Sequence, residues 1–141
     1  MTIADFAQTD VVTAHADDDL TTVAEQMREE AVGSVVIVAE DEPISIISDR
    51  KIAMAAIEGD IQDRTAEEFM TEELVTAHVD TGIDELIDTM SDEAIRRVPL
   101  VDDEGSLAGV ISMDDLLVRL ANEFDTLTKV PERQSPKLRQ P

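Results

Sequence analysis

Val12-Thr13-Ala14-His15-Ala16-Asp17 returns as Val75-Thr76-Ala77-His78-Val79-Asp80, 63 positions further along the chain. The correspondence extends to both sides. Thr2 and Phe6 match Thr65 and Phe69, Met27 matches Met90, and Glu30-Ala31 matches Glu93-Ala94. Val35 and Val38 match Val98 and Val101, and one extra residue then aligns Ile47-Ser48 with Ile111-Ser112. Two copies of this length are too long and too few for a solenoid, which needs three or more units. The repeat instead describes two similar half-domains packed on each other, with room for a ligand cleft between them. At about 60 residues a single copy is marginal alone, so the pair is the folding unit.

Within each copy the apolar pattern changes period in the same order. A short extended piece comes first, Val11–Ala14 or Leu74–Ala77. Leu20, Val23, Ala24, Met27 and Ala31 then recur at helical spacing, as do Ile83, Leu86, Ile87, Met90 and Ala94. Two continuous apolar runs follow, Val35–Val38 and Ile44–Ile47 in the first copy, Val98–Val101 and Leu107–Ile111 in the second. Acidic turns at Glu40–Pro43 and Asp102–Gly105 separate them, which predicts paired strands. A closing helix is predicted over Asp49–Glu58, stopped at Gly59, and another from Met113 past Leu120 to Phe124. The order is β-α-β-β-α twice, an α+β fold. Copy one is assigned to residues 1–60 and copy two to residues 61–127. Residues 128–141, with three prolines and few apolar groups, are expected to be a disordered tail.

Composition narrows the function. Thirty-three acidic residues against 11 basic ones give a formal net charge of −22, which repels nucleic acids and anionic membranes. The absence of cysteine removes disulfides, thiol nucleophiles and cysteine metal sites. No stretch approaches the roughly 20 apolar residues of a membrane span, and Met1–Asp5 lacks the basic and apolar regions of a secretory signal. The sequence therefore points to a cytoplasmic protein. His15 and His78 are equivalent by repeat and lie in no ligand-spaced motif, so no metal is expected. No Gly-x-Ser-x-Gly, Walker-type or dinucleotide fingerprint occurs, and an enzyme is not expected.

The second closing strand reads Gly109-Val110-Ile111-Ser112-Met113-Asp114-Asp115-Leu116. Spacing alone allows two readings of Ser112-x-x-Asp115. It is a helix cap followed by a favourable first-turn acid, or it is a ligand contact in which the carboxylate accepts hydroxyl protons. Two β-α-β-β-α units ending in this junction resemble a tandem cystathionine β-synthase (CBS) domain pair. Phe69-Met70-Thr71 and Arg97-Val98-Pro99-Leu100-Val101 resemble further segments of that family, and the likeness covers residues 2–121. The resemblance implies a pseudo-twofold pair of units, a homodimer of such modules, and regulation of another, unnamed protein. It also implies a cleft for AMP, ADP or ATP, with no cofactor required. On this chain it places Ser112 and Asp115 at the ribose. Val75, Thr76, Ala77, Pro99, Val110 and Ile111 are placed around the base, and Arg96 and Arg97 near phosphate.

Copy one departs from the pattern, with Ser45 in place of the glycine and Lys51 in place of the aspartate. A lysine has no acceptor for ribose hydroxyls. A weaker second site at Thr13, Ala14, His15, Ile47, Ser48, Arg50 and Lys51 is therefore empty or limited to helping with phosphates. The alternative is a ligand-free scaffold that docks a partner or oligomerises. The charge reading adds adaptation to a salty cytoplasm, because a Debye length of about 3 Å at 1 M removes most of the self-repulsion. It predicts that the thermal midpoint, followed by circular dichroism, rises from millimolar to molar KCl. An unchanged midpoint overturns the adaptation.

Overall fold

The computed structural model describes residues 2–71 and 73–134. Copy one contains β1 (Thr13–Ala14), α1 (Leu20–Glu30), β2 (Ser34–Ala39), β3 (Glu42–Ser48) and α2 (Asp49–Glu58). Copy two repeats the series as β4 (Ala77–His78), α3 (Ile83–Glu93), β5 (Arg97–Val101), β6 (Leu107–Ser112) and α4 (Met113–Gln134). Each copy forms a three-stranded sheet, β1-β2-β3 and β4-β5-β6, with the first pair parallel and the second antiparallel. Even the irregularities repeat. A register shift falls at Ile37/Val38 in one copy and at Leu100/Val101 in the other. The expected α+β pair of β-α-β-β-α units is the fold.

Local chemistry sets the element ends. Ala31 and Ala94 leave α1 and α3 in the left-handed conformation, each at φ 54°. The next amides, Val32 and Ile95, donate to the carbonyls of Met27 and Met90 at 3.0 and 3.1 Å, closing both helix ends identically. Leu20, Val23 and Met27 bury the inner face of α1, and Leu86 and Met90 do so on α3.

The lead-in segments are exchanged between the copies. Residues Ile3–Phe6 form a 3-10 helix ahead of copy one, yet Ile3, Phe6 and Ala7 pack in the core of copy two with Leu86, Val98, Leu100 and Ile111. The matching helix Ala66–Phe69 places Ala66, Phe69 and Met70 in the core of copy one with Leu20, Val35, Ile37 and Ile47. The docking bonds are equivalent by repeat, Ile3 N–H to the Thr81 carbonyl at 3.2 Å and Ala66 N–H to the Asp18 carbonyl at 2.9 Å.

One boundary differs from expectation. α4 runs to Gln134, through Pro131, where the sequence pattern placed the end of order at Leu127. Once a helix is nucleated each further residue costs little. Here the Lys129–Asp125 pair at 3.8 Å and the Thr128 hydroxyl, donating to the Asp125 carbonyl, support the added turns. The rest of the expected tail, 135–141, lies outside the described residues. Among the described residues, no helix is long and apolar enough to cross a membrane.

The exchange predicts one cooperative unfolding transition for both copies. Ile3→Ala empties a fully buried position in copy two's core and should cost about 2–5 kcal/mol, measured by urea denaturation. Two separate transitions would contradict it.

Candidate functional site

A cavity of about 360 Å³ lies between the two copies at the start of α4. Ser112, Asp114 and Asp115 form one side. Val110 comes from β6 and Arg96 and Arg97 from the entry to β5, while Gln8, Asp10, Val11, Val12 and Ala31–Ser34 cross from copy one. Arg96 and Arg97 are the repeat equivalents of Gly33 and Ser34. One cavity therefore has Gly-Ser on one wall and Arg-Arg on the wall related to it by the pseudo-twofold axis. A side chain at Gly33 would meet Nη2 of Arg97 at 3.4 Å and Oδ2 of Asp49 at 3.5 Å, so the glycine leaves the space that Arg97 reaches into.

The cap reading of Ser112 is realised, since its Oγ accepts the Asp115 N–H at 3.0 Å. The Met113 amide donates to the Arg96 carbonyl at 2.8 Å, tying α4 to the start of β5. Among the described residues, neither Arg96 nor Arg97 has a carboxylate within the 4.0 Å of an ion pair. The Asp115 carboxylate likewise has no basic partner among them. In a chain of net charge −22, two adjacent guanidinium groups that face a cavity with no ion-pair partner among the described residues are an unusual local arrangement.

The cavity beside Ser112 and Asp115 is lined by a different first strand from the one that sequence reasoning set there. Gln8 exchanges both backbone bonds with Val110 at 3.0 Å, so the chain running on through Asp10, Val11 and Val12 passes the α4 start. Val75 and Ala77 do not line this cavity. Thr76 lines a different one, of about 640 Å³, whose wall holds Glu42, Met70 and Thr71 and no cation. Ile111 is fully buried in copy two's core, and Pro99, paired with Val110, is buried as well. The residues missed are Gln8, Asp10, Val11, Val12, Gly33, Ser34 and Asp114. Gly109 carried the signal, because a glycine within a strand marks a close backbone approach. A Cβ at Gly109 would lie 2.9 Å from the Gln8 carbonyl oxygen.

The equivalent contact in copy one is made differently. Ser45 is fully buried, and its Oγ accepts the Thr71 N–H at 3.1 Å, in place of the two-bond backbone pairing of Gln8 with Val110. Ser48 caps α2 by accepting the Lys51 N–H at 3.2 Å, and partial burial lowers the Lys51 pKa below the ordinary lysine value. The remaining residues of the weaker site scatter. Ala14 and Ile47 are buried in the core of copy one, Thr13 lines a third cavity, and His15 and Arg50 are exposed.

His78, Asp80 and Asp103 are the only described trio of donors close enough together to share a cation. Both imidazole nitrogens are engaged, Nε2 with Asp103 Oδ1 at 2.6 Å and Nδ1 accepting the Asp80 N–H at 3.1 Å.

Comparison with known proteins places this geometry. The family model of the CBS domain matches twice, at residues 3–58 and 66–122. The chain belongs to the CBS-domain family. A protein of Methanopyrus kandleri is 37% identical over 120 residues, covering 83% of this chain and 61% of that protein. The chain therefore spans about three fifths of that relative. The inosine-5'-monophosphate dehydrogenase of Methanocaldococcus jannaschii is 30% identical over 113 residues, 78% of this chain and 22% of the enzyme. Among solved structures, the CBS domain pair of protein MJ0100 in complex with 5'-methylthioadenosine and S-adenosyl-L-methionine is similar, with 29% identity and a TM-score of 0.75. That match covers 85% of this chain and 98% of that one.

The close approach at Gly109 predicts that Gly109→Ala pushes Gln8 off β6. A stability loss of roughly 1–3 kcal/mol by thermal melting is expected, and a neutral substitution would refute the contact.

Proposed function

We propose that this CBS pair is a cytoplasmic regulatory module, not an enzyme, that binds an adenine nucleotide, AMP, ADP or ATP, in the cavity at the start of α4. The observation that carries the reading is that Arg96, Arg97 and the Asp115 carboxylate line one cavity and have no ion-pair partner among the described residues. Asp115 accepts the ribose hydroxyls, and the arginines meet the phosphates. Two of α4's first amides, Met113 and Asp115, are already hydrogen-bonded, so the guanidinium groups rather than the helix start carry anion recognition. The base lies against Val11, Val12 and Val110. One arginine about 4 Å from a phosphate contributes roughly 4 kcal/mol at an effective dielectric near 20, before desolvation. Distant acids are screened by salt, while the contacting pair is affected far less.

The adenosine-containing ligands of the MJ0100 pair support this ligand class. Regulation follows only if the nucleotide prefers one of two states. The output element is then α4, whose first turn is the cavity wall. As a module the chain pairs with a second copy and acts on a separate regulated protein. A ligand-free scaffold is favoured for copy one's half, where Lys51 replaces the acceptor and Ser45 pins Thr71.

Asp115→Ala should abolish AMP, ADP and ATP binding in calorimetry, and Arg96→Met with Arg97→Met should weaken it by tenfold or more, about 1.4 kcal/mol. Unchanged affinity in Asp115→Ala would sink the site. A thermal shift by none of AMP, ATP, S-adenosylmethionine or NAD would leave the scaffold.

A further inference from the structure

Two opposite charges that the repeat does not share meet over one glycine. A Cβ at Gly33 would lie 3.4 Å from Nη2 of Arg97 and 3.5 Å from Oδ2 of Asp49. A guanidinium of copy two and the first carboxylate of α2 in copy one therefore border the same gap. Neither has closed on the other, since no Arg97–Asp49 contact falls within 4.0 Å. The pseudo-twofold mates of Gly33, Arg97 and Asp49 are Arg96, Ser34 and Met113. On that side neither Ser34 nor Met113 carries a charge. The backbone underneath is the same on both sides. The Asp49 amide donates to the Gly33 carbonyl at 2.9 Å, and the Met113 amide donates to the Arg96 carbonyl at 2.8 Å. The two copies share the backbone tie, and one side alone adds a cation and an anion.

Arg97 stands between two places for a negative charge. It lines the cavity together with Asp10, Asp114 and Asp115, whereas Asp49 lies outside that lining, against Gly33. Local bonds hold Asp49 there. Its Oδ1 accepts the Arg50 N–H at 2.7 Å, and an acid in the first turn suits a helix N-terminus. Oδ2 is the oxygen turned to Gly33. With the carboxylate tied to its own helix, the long arginine side chain is the partner that moves. A glycine at position 33 leaves the path between the two open.

We propose that Asp49 is a positioning residue for the nucleotide cavity, drawing Arg97 across Gly33 until a bound phosphate takes the guanidinium back. This rests on the reading that the cavity takes an adenine nucleotide through Arg96 and Arg97. Phosphate binding then works against the attraction of Asp49, which lowers affinity for a nucleotide but not for a nucleoside. Because Asp49 begins α2, filling the cavity at the start of α4 is also felt at the closing helix of copy one. Arg97 and Asp49 are both exposed, so the effect has the size of a surface pair.

Calorimetry of the full chain with AMP and with adenosine, at one KCl concentration throughout, tests it. Asp49→Asn should tighten AMP about three- to fivefold and leave adenosine unchanged. In an Arg97→Met chain the same substitution should change nothing, because the group through which Asp49 acts is gone. The Arg50 amide, bonded to Asp49, reports on the unsubstituted protein. Its NMR signal should shift with AMP and stay in place with adenosine, and Arg97→Met should abolish the AMP shift. Unchanged AMP affinity in Asp49→Asn overturns the positioning role. So does an equal gain for adenosine or in Arg97→Met, or an Arg50 amide that ignores AMP. If AMP still binds under those results and is lost in Asp115→Ala, the nucleotide reading stands without this role. An unsubstituted chain that binds neither AMP nor adenosine overturns both.

Discussion

Everything in this molecule depends on the reciprocal burial of the two lead-in segments. Ile3, at the head of copy one, is fully buried in the core of copy two, and Ala66, at the head of copy two, is fully buried in the core of copy one. A single copy of about 60 residues has little apolar surface to spare. Here each core also lacks part of its own filling and takes it from its twin. The two halves are one folding unit because neither core is complete alone. The scarcity of aromatics sharpens the point, since two of the three phenylalanines, Phe6 and Phe69, lie in the exchanged segments.

The same exchange builds the cavity. Gln8 is held to β6 by backbone bonds, so the first strand of copy one passes the helix start of copy two. Walls from both copies then meet across the pseudo-twofold axis. A duplicated chain can vary one wall without the other, because Gly33-Ser34 and Arg96-Arg97 are the same repeat positions with different chemistry. Architecture stays symmetrical while the charge becomes one-sided.

The fold was legible because periodicity and duplication are local signals, and each element was visible twice. The helix-cap geometry at Ser112 and Asp115 followed from spacing in the same way, while the arginines nearby came from the family resemblance. Which first strand belongs beside Asp115 was not legible. Val12 and Val75 are identical by repeat, and only the exchange distinguishes them. Ile111 and Val110 were also read as one surface, although alternation along a strand sends one into the core and the other to the cavity. The length of α4 was underestimated because residues 128–141 hold three prolines and few apolar groups, whereas the helix runs on through Pro131 to Gln134.

Interlocked halves also constrain how the chain is made. Ile3 is synthesised almost first, yet its burial waits for Val98 on β5 and Ile111 on β6. At ordinary elongation rates of about 5–20 residues per second, that wait is roughly 5–20 s. Copy one meets its missing piece much sooner, once Ala66–Phe69 emerges. The segments of the first core are therefore all present well before those of the second, which waits for nearly the whole chain.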